Sequence, residues 1–327
     1  MLTEGGELFG FGHITRCLSI GKYFTEFGMV VDFIIDGDDS VSPILEDQSF
    51  VLMEWLNNRS VLQTLEDSSF ILIDSLRVTN DQIKDLQKLD AEIIYIDDDE
   101  KRRNVLDRGF VIDWTVLAEE KKHFLPKKKG VTYLLGSKYT PIREPFKTNH
   151  RKIISKKIKT VFVSFGGSDV RDLTPIVLLT LSKKFPHLKK NVVIGLGSTN
   201  IDNVKLCQDK NTTLVVNASA EKMSKLMQES DIAISSGGQT LYELVCVGLP
   251  TIAILLVENA RDDTEGWSEV GAIDYIGSYD DQNLMNKLVK SVKELEEQNN
   301  RREMQTAANQ FIGVNGGRLI VDAILKC

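Results

Sequence analysis

Cysteine is scarce. Of 327 residues only Cys17, Cys207, Cys246 and Cys327 are cysteines, with no C-x-x-C spacing and no histidine cluster beside them. That pattern suggests neither a zinc site nor a disulfide framework, and it fits a reducing cytosol. Long apolar runs are missing too. Stretches such as Val30 to Ile35 and Thr251 to Val257 fall far short of the roughly 20 residues needed to span a bilayer. The start lacks the charged, then apolar, then small-residue order of a secretory signal. The expectation is a cytoplasmic protein with no transmembrane segment. Positive charge is in deficit, with 40 Lys and Arg against 47 Asp and Glu and a net charge of −7. Non-specific binding of nucleic acid, which neutralises phosphates with basic side chains, is therefore not expected. An anionic ligand would have to be held locally, by backbone amides and a few arginines. Glycine (23) and proline (7) are modest, and 42% hydrophobic with 27% charged residues exclude collagen-like and disordered classes.

What is present is alternation. Short apolar runs alternate with helical-period segments, the signature of βαβ units, so the fold class is α/β with mostly parallel sheets. At about 150 residues per domain the length predicts two domains. In the first half strands are predicted at Val30 to Ile35, Phe70 to Asp74, Glu92 to Ile96 and Val131 to Leu135. Helices are predicted over Ile14 to Phe27, stopped by Gly28, and over Asp81 to Leu89. In the second half strands are predicted at Thr160 to Phe165, Val192 to Gly195, Thr213 to Asn217, Ile232 to Ser235 and Thr251 to Leu255. The segment Gly136 to Lys159, with Pro141, Pro145 and a basic run, reads as the linker, placing domains at 1–149 and 150–327. That run, like Lys121 to Lys129, reads as a solvated face. Lys287 to Arg302 reads as one solvated helix. Only Met1 to Thr3 precede the first glycine loop as strand residues, so the expectation is either that the first strand is a stub or that the chain as given begins inside it.

Three glycine loops stand at strand-to-helix junctions. The first, Gly5 to Gly12, runs into His13 and, one turn later, Arg16. Free amides at a helix start attract anions, and the dipole there favours neutral imidazole, the form that accepts a proton. His13 is thus either a base or a helix-start residue with a structural hydrogen bond. The second loop, Gly166-Gly167-Ser168-Asp169, suits a diphosphate and equally suits a tight β-to-α turn. The third, Gly237-Gly238-Gln239-Thr240, opens a helix bearing Glu243 in what reads as its first turn. A carboxylate there can accept from two ribose hydroxyls; it is also simply favourable for the dipole. Loops of two such sheets can face one cleft, since ligands sit at the carboxyl ends of parallel strands. No P-loop, complete G-x-G-x-x-G, G-x-S-x-G or H-E-x-x-H occurs. Asp97-Asp98-Asp99 has no ligand companion at metal spacing and reads as a solvated or Arg-paired turn.

Taken together, these residues look familiar. Gly10-Phe11-Gly12-His13-Ile14-Thr15-Arg16, Ile96-Asp97-Asp98, Leu134 to Tyr139, Ser164 to Asp169, and Ser236 to Thr240 continuing to Gly248-Leu249-Pro250 stand in the order and spacing of one family. The chain resembles the UDP-sugar hydrolases of pseudaminic acid biosynthesis, which act on UDP-2,4-diacetamido-2,4,6-trideoxy-β-L-altropyranose, and the related spore-coat polysaccharide proteins. The resemblance implies a GT-B fold: two Rossmann-like domains with mostly parallel sheets facing a central cleft, UDP mainly on the second, and a terminal helix packing back on the first. It is also similar to the N-acetylglucosaminyltransferase that makes lipid II. These likenesses imply His13 as the base that activates water, with inversion at the anomeric carbon. They imply Glu243 as the ribose ligand, Gly237, Gly238, Gln239 and Thr240 at the diphosphate, and Asn259 near sugar and phosphate. Gly12, Arg16, Asp74, Asp97, Gly166, Gly167 and Ser168 fall on the remaining matched motifs as substrate-binding candidates. Leu76 stands where the family often carries a tyrosine, which bears on the sugar recognised. The implied partner is a UDP-sugar; no cofactor and no metal are implied. The same donor site would also serve a glycosyltransferase or a non-catalytic UDP-sugar binder.

Overall fold

In a computed structural model the described residues are 1–7, 10–45, 47–98, 104–121, 125–147, 153–195, 197–198 and 201–326. The chain forms two compact units, Met1–Pro141 with Gly313–Cys327, and Ile142–Ile312. The first unit holds β1 (Leu2–Gly5), α1 (Gly12–Glu26), β2 (Asp32–Gly37), β3 (Ser49–Leu52), α2 (Val61–Thr64), β4 (Phe70–Asp74), α3 (Asn80–Leu86), β5 (Glu92–Ile96), β6 (Arg108–Asp113) and β7 (Gly130–Leu135). In the second lie α4 (Glu144–Lys147), β8 (Thr160–Ser164), α5 (Leu173–Lys184), β9 (Lys189–Ile194), α6 (Ile201–Leu206), β10 (Thr212–Val216) and α7 (Ala220–Gln228). It continues with β11 (Ile232–Ser236), α8 (Gln239–Val247), β12 (Thr251–Leu255), α9 (Arg261–Glu269), β13 (Asp274–Ser278), α10 (Leu284–Glu294) and α11 (Gln298–Phe311). The last helix, α12 (Gly316–Leu325), returns to the first unit and packs on α1.

Both sheets are parallel throughout their registered pairs. Their orders are β3-β2-β1-β4-β5-β6-β7 and β10-β9-β8-β11-β12-β13. Each begins with the doubly wound 3-2-1-4-5-6 arrangement of a Rossmann fold. The strands are β-branched runs buried on both faces, as covered parallel sheets require: Ile71, Leu72 and Ile73 in β4, and Ile252, Ala253 and Ile254 in β12 are at most 2% exposed. α1 ends as expected, with Phe27 as cap and Gly28 left-handed at φ 82°.

Several expectations are corrected. β1 takes in four residues, Leu2–Gly5, because it runs into the glycine loop, registered on both β2 and β4. The division expected at 149/150 falls between Pro141 and Ile142. The reason is α4, whose Phe146 is fully buried and whose Pro145 carbonyl accepts from Ser224 Oγ at 2.7 Å, both within the second unit. The single helix expected over Lys287 to Arg302 is two, α10 and α11. Buried Arg301 sets the break, its Nη1 donating to Glu296 O at 3.0 Å and its Nη2 to Ser155 O at 2.7 Å. Of the two basic runs, 122–124 and 150–152 lie outside the described residues. Among the described residues no helix is long and apolar enough to cross a membrane.

Candidate active site

A doubly wound parallel sheet opens a crevice at its carboxyl edge where adjacent strands send their connections to opposite faces. In the first unit that point lies between β1 and β4, in the second between β8 and β11. Most of the residues singled out from sequence sit on these two edges.

In the first unit α1 starts directly after the β1 loop, so Gly12 and His13 form its first turn with no side-chain cap at its amino end. His13 Nδ1 lies 2.7 Å from Asp74 Oδ1, at the end of β4. Arg16, one turn on, donates Nε to Asp74 Oδ2 at 2.6 Å and Nη2 to Asp74 Oδ1 at 2.5 Å, while Nη1 reaches Asp98 Oδ2 at 2.5 Å. Its guanidinium lies 4.9 Å from the ring centre of buried Trp114. Burial alone would raise the Asp74 carboxyl; the charges and hydrogen bonds of Arg16 and His13 outweigh it and hold that carboxyl well below the usual carboxylate range. An ionised Asp74 can only accept, so a hydrogen bond between the two takes its proton from Nδ1, and Arg16 Nη2, also a donor, lies 3.1 Å from that same nitrogen. A second tether shapes the turn after β4: Glu4 of β1, 2% exposed, accepts from Ser75 Oγ (2.8 Å), Leu76 N (3.0 Å) and Arg77 Nε (2.8 Å).

The second unit's edge is built differently. Asp169 accepts from Leu173 N at 3.0 Å and Thr174 N at 2.9 Å, so a carboxylate already satisfies the first amides of α5. α8 has no such cap. Its N-cap is Gly238, at φ 104°, where a side chain would be strained, and its first turn carries no acidic residue. Gly237 is explained by packing, since a Cβ there would lie 2.5 Å from Thr264 Oγ1. Of the two loops proposed from sequence for diphosphate, only the one opening α8 leaves the positive end of its helix dipole open to an anion.

The structure brings His13, Arg16 and Asp74 together. It places Gly166, Gly167 and Ser168 after β8, Gly237 to Thr240 at β11, and Asn259, exposed, in a 3₁₀ turn just past β12. Three expectations change. Asp74 has both oxygens committed to His13 and Arg16, so neither stands as a free carboxylate. Asp97 is 1% exposed at the end of β5, and Asp98 supplies the carboxylate that reaches Arg16; Asp99 lies outside the described residues. Glu243 stands in the second turn of α8, fully buried, accepting from Arg143 Nε at 2.6 Å and Nη2 at 3.0 Å. Ribose hydroxyls would have to displace that guanidinium. Sequence reasoning missed Glu4, Trp114 and Arg143. A glutamate inside a strand and a tryptophan following a strand-ending aspartate were available signals; Arg143, 100 positions from Glu243, left none.

Residues 160–316 match the glycosyltransferase family 28 C-terminal domain. The chain is 25% identical to an uncharacterised protein of Methanocaldococcus jannaschii, over 80% of this chain and 56% of that protein. It is 29% identical to the spore coat polysaccharide biosynthesis protein SpsG of Bacillus subtilis, over 36% of each. Against the Helicobacter pylori pseudaminic acid cytidylyltransferase and UDP-2,4-diacetamido-2,4,6-trideoxy-beta-L-altropyranose hydrolase the identity is 22%, over 80% of this chain and 45% of that one. The chain thus spans about half, or less, of the length of these curated relatives. Among solved structures, MurG of Acinetobacter baumannii superposes with a TM-score of 0.69 at 14% identity, covering 100% of this chain and 99% of that one. The UDP-GlcNAc 2-epimerase of Neisseria meningitidis gives 0.61 at 16%, covering 100% and 99%. Two parallel Rossmann-like units in one chain, matched end to end by these neighbours, make this the GT-B fold.

Proposed function

We propose that this chain hydrolyses a UDP-linked amino or deoxy sugar at its anomeric carbon, releasing UDP, in the making of a nonulosonic acid or surface polysaccharide. The observation that supports the reading is the 2.7 Å contact of His13 Nδ1 with Asp74 Oδ1: with a proton on Nδ1 directed at that carboxylate, Nε2 is the nitrogen left to act as base. Water loses a proton to His13 Nε2 as its oxygen bonds to the anomeric carbon. The bond from that carbon to the diphosphate oxygen breaks, and its electron pair leaves with UDP, inverting the centre. Negative charge grows on the diphosphate, and uncapped amides at the start of α8 are suited to receive it. Glu243 is the ribose acceptor in this reading, with Gln239 and Thr240 at the phosphates and Asn259 at the sugar. Arg16 keeps Asp74 ionised and His13 oriented.

The family 28 match over residues 160–316 favours a second reading, transfer of the sugar to an acceptor from the same donor site. A panel of UDP-sugars separates the two. Free sugar and UDP formed in equal amounts without acceptor support hydrolysis; turnover that waits for an acceptor supports transfer. Saturable binding with no turnover under either condition would reduce the chain to a UDP-sugar binder and remove the proposal.

A further inference from the structure

In a parallel α/β sheet every crossover helix returns the chain from the carboxyl edge to the amino edge, so the ends of α5 and α6 and the starts of β8, β9 and β10 share one edge of the second unit. That edge is basic. Lys159 stands before β8 and Lys189 begins β9, joined by a backbone bond from Lys189 N to Lys159 O of 2.8 Å. Lys183 and Lys184 end α5. Lys210 lies one residue before Asn211, whose carbonyl accepts from Lys190 N at 2.9 Å. All five lysines are exposed, and none forms an ion pair among the described residues. The carboxylates close to them are committed inward. Asp209 holds Lys190 Nζ at 2.5 Å, and Asp231 accepts from Lys159 N and Thr160 N at 2.7 and 3.0 Å. Beside the lysines, Leu206 at the end of α6 is 84% exposed, and α6 packs on α5.

We propose that this amino edge, with Lys159, Lys183, Lys184, Lys189 and Lys210 around Leu206, is a docking surface for an anionic lipid bilayer. Two features favour lipid over nucleic acid. Among the described residues the charges there are lysine ammonium groups, with exposed His187 beside them but no arginine fork and no exposed Phe, Tyr or Trp, whereas nucleic-acid sites lean on arginine and large aromatic rings. The apolar member is an aliphatic side chain, which gains by entering the headgroup and acyl boundary. In a chain of net charge −7, attraction to a negative surface has to be local and oriented. Each lysine near such a surface multiplies partitioning about fivefold, and one leucine adds too little to hold without them. The docking is therefore reversible and salt-sensitive. It also leaves the carboxyl edge of the same sheet, with the α8 loop, directed away from the lipid.

The test is co-sedimentation of the full chain with vesicles of phosphatidylcholine alone or mixed with phosphatidylglycerol. Binding is expected only with the mixed vesicles, and it should vanish near 1 M salt, where screening reaches about 3 Å. Lys183→Glu/Lys184→Glu/Lys189→Glu should bind at least about tenfold more weakly, and Leu206→Ser several-fold more weakly, with unaltered circular dichroism melts. No sedimentation of the parent with the mixed vesicles would overturn the proposal, as would equal binding by the charge-reversed chain. Tighter binding to duplex DNA than to mixed vesicles would overturn it in favour of nucleic acid.

Discussion

The carboxyl edges of the two sheets occupy the same place in the same topology and use opposite means. In the first unit the edge is crowded with charge, and the charges are consumed by one another: Arg16 by Asp74 and Asp98, Arg77 by Glu4 and Asp36. What remains is one imidazole tethered through Nδ1 to Asp74. In the second unit the edge offers backbone, because α8 begins without a cap while α5 is stoppered by Asp169. One edge presents a tethered imidazole and the other uncapped backbone amides. Their sensitivities to substitution should differ accordingly.

The largest effect is expected at His13. A positioned base contributes about 10²- to 10⁴-fold, so His13→Asn should lower the rate of UDP release by that factor while calorimetry shows UDP binding retained. Parent-like turnover would make the first edge merely structural. Arg16→Met comes next, because it leaves Asp74, 1% exposed, without its principal counter-charge. Removing one partner of a buried pair costs about 3–5 kcal/mol, to be read from urea unfolding. The Asp74 carboxyl is lowered in the folded chain, so its contribution to stability is full above the unfolded value of about 3.9 and is lost as pH falls toward the folded value. Arg16→Met should flatten that acid limb.

Glu243→Ala sharpens the comparison from the other side. Losing hydrogen bonds to a charged group should weaken UDP binding by about 1.5–3 kcal/mol. The melting temperature should fall as well, because Arg143 loses both acceptor oxygens. A lower melt with unchanged UDP affinity would show that Glu243 serves Arg143 alone. The smallest effect is expected at Leu76. Its backbone is fixed by Glu4, so Leu76→Tyr adds a phenol without moving the turn. One neutral hydrogen bond is worth about 0.5–1.5 kcal/mol, or roughly 2- to 12-fold. The ratio of kcat/KM for the pseudaminic intermediate over another UDP-linked N-acetylated deoxy sugar should rise by that much.

The fold was legible in strands whose apolar run fills the whole element. Phe70 to Asp74, Glu92 to Ile96 and Thr251 to Leu255 are β4, β5 and β12 residue for residue. The strands that escaped notice are short of apolar signal. β3 is four residues at the sheet margin, β6 has a three-residue apolar centre, and β13 places only Ile276 fully inside. Residue types at the site were legible too, because glycine loops and strand-ending carboxylates have local signatures. Their pairings were not. His13 and Asp74 stand 61 positions apart, and Glu4 and Arg77 stand 73, so only the parallel order of β1 beside β4 brings them into contact. Whether a carboxylate faces a ligand or an arginine is decided at that range, which is why Asp74 and Glu243 were assigned more freedom than they have.

The return of α12 to the first unit makes that unit discontinuous in sequence, which matters for anyone cutting the molecule apart. A Cβ at Gly316 would lie 2.1 Å from Thr140 O, and one at Gly317 would lie 2.9 Å from the Tyr23 ring. Ile320 and Val321 are fully buried where α12 meets α1, the helix that carries His13 and Arg16. An expression boundary drawn after Ile312 would therefore damage the opposite end of the gene product. The second unit would lose little, while the first would lose the buttress behind its imidazole. A stand-alone version of the first unit calls for a splice that joins 1–141 to 313–327.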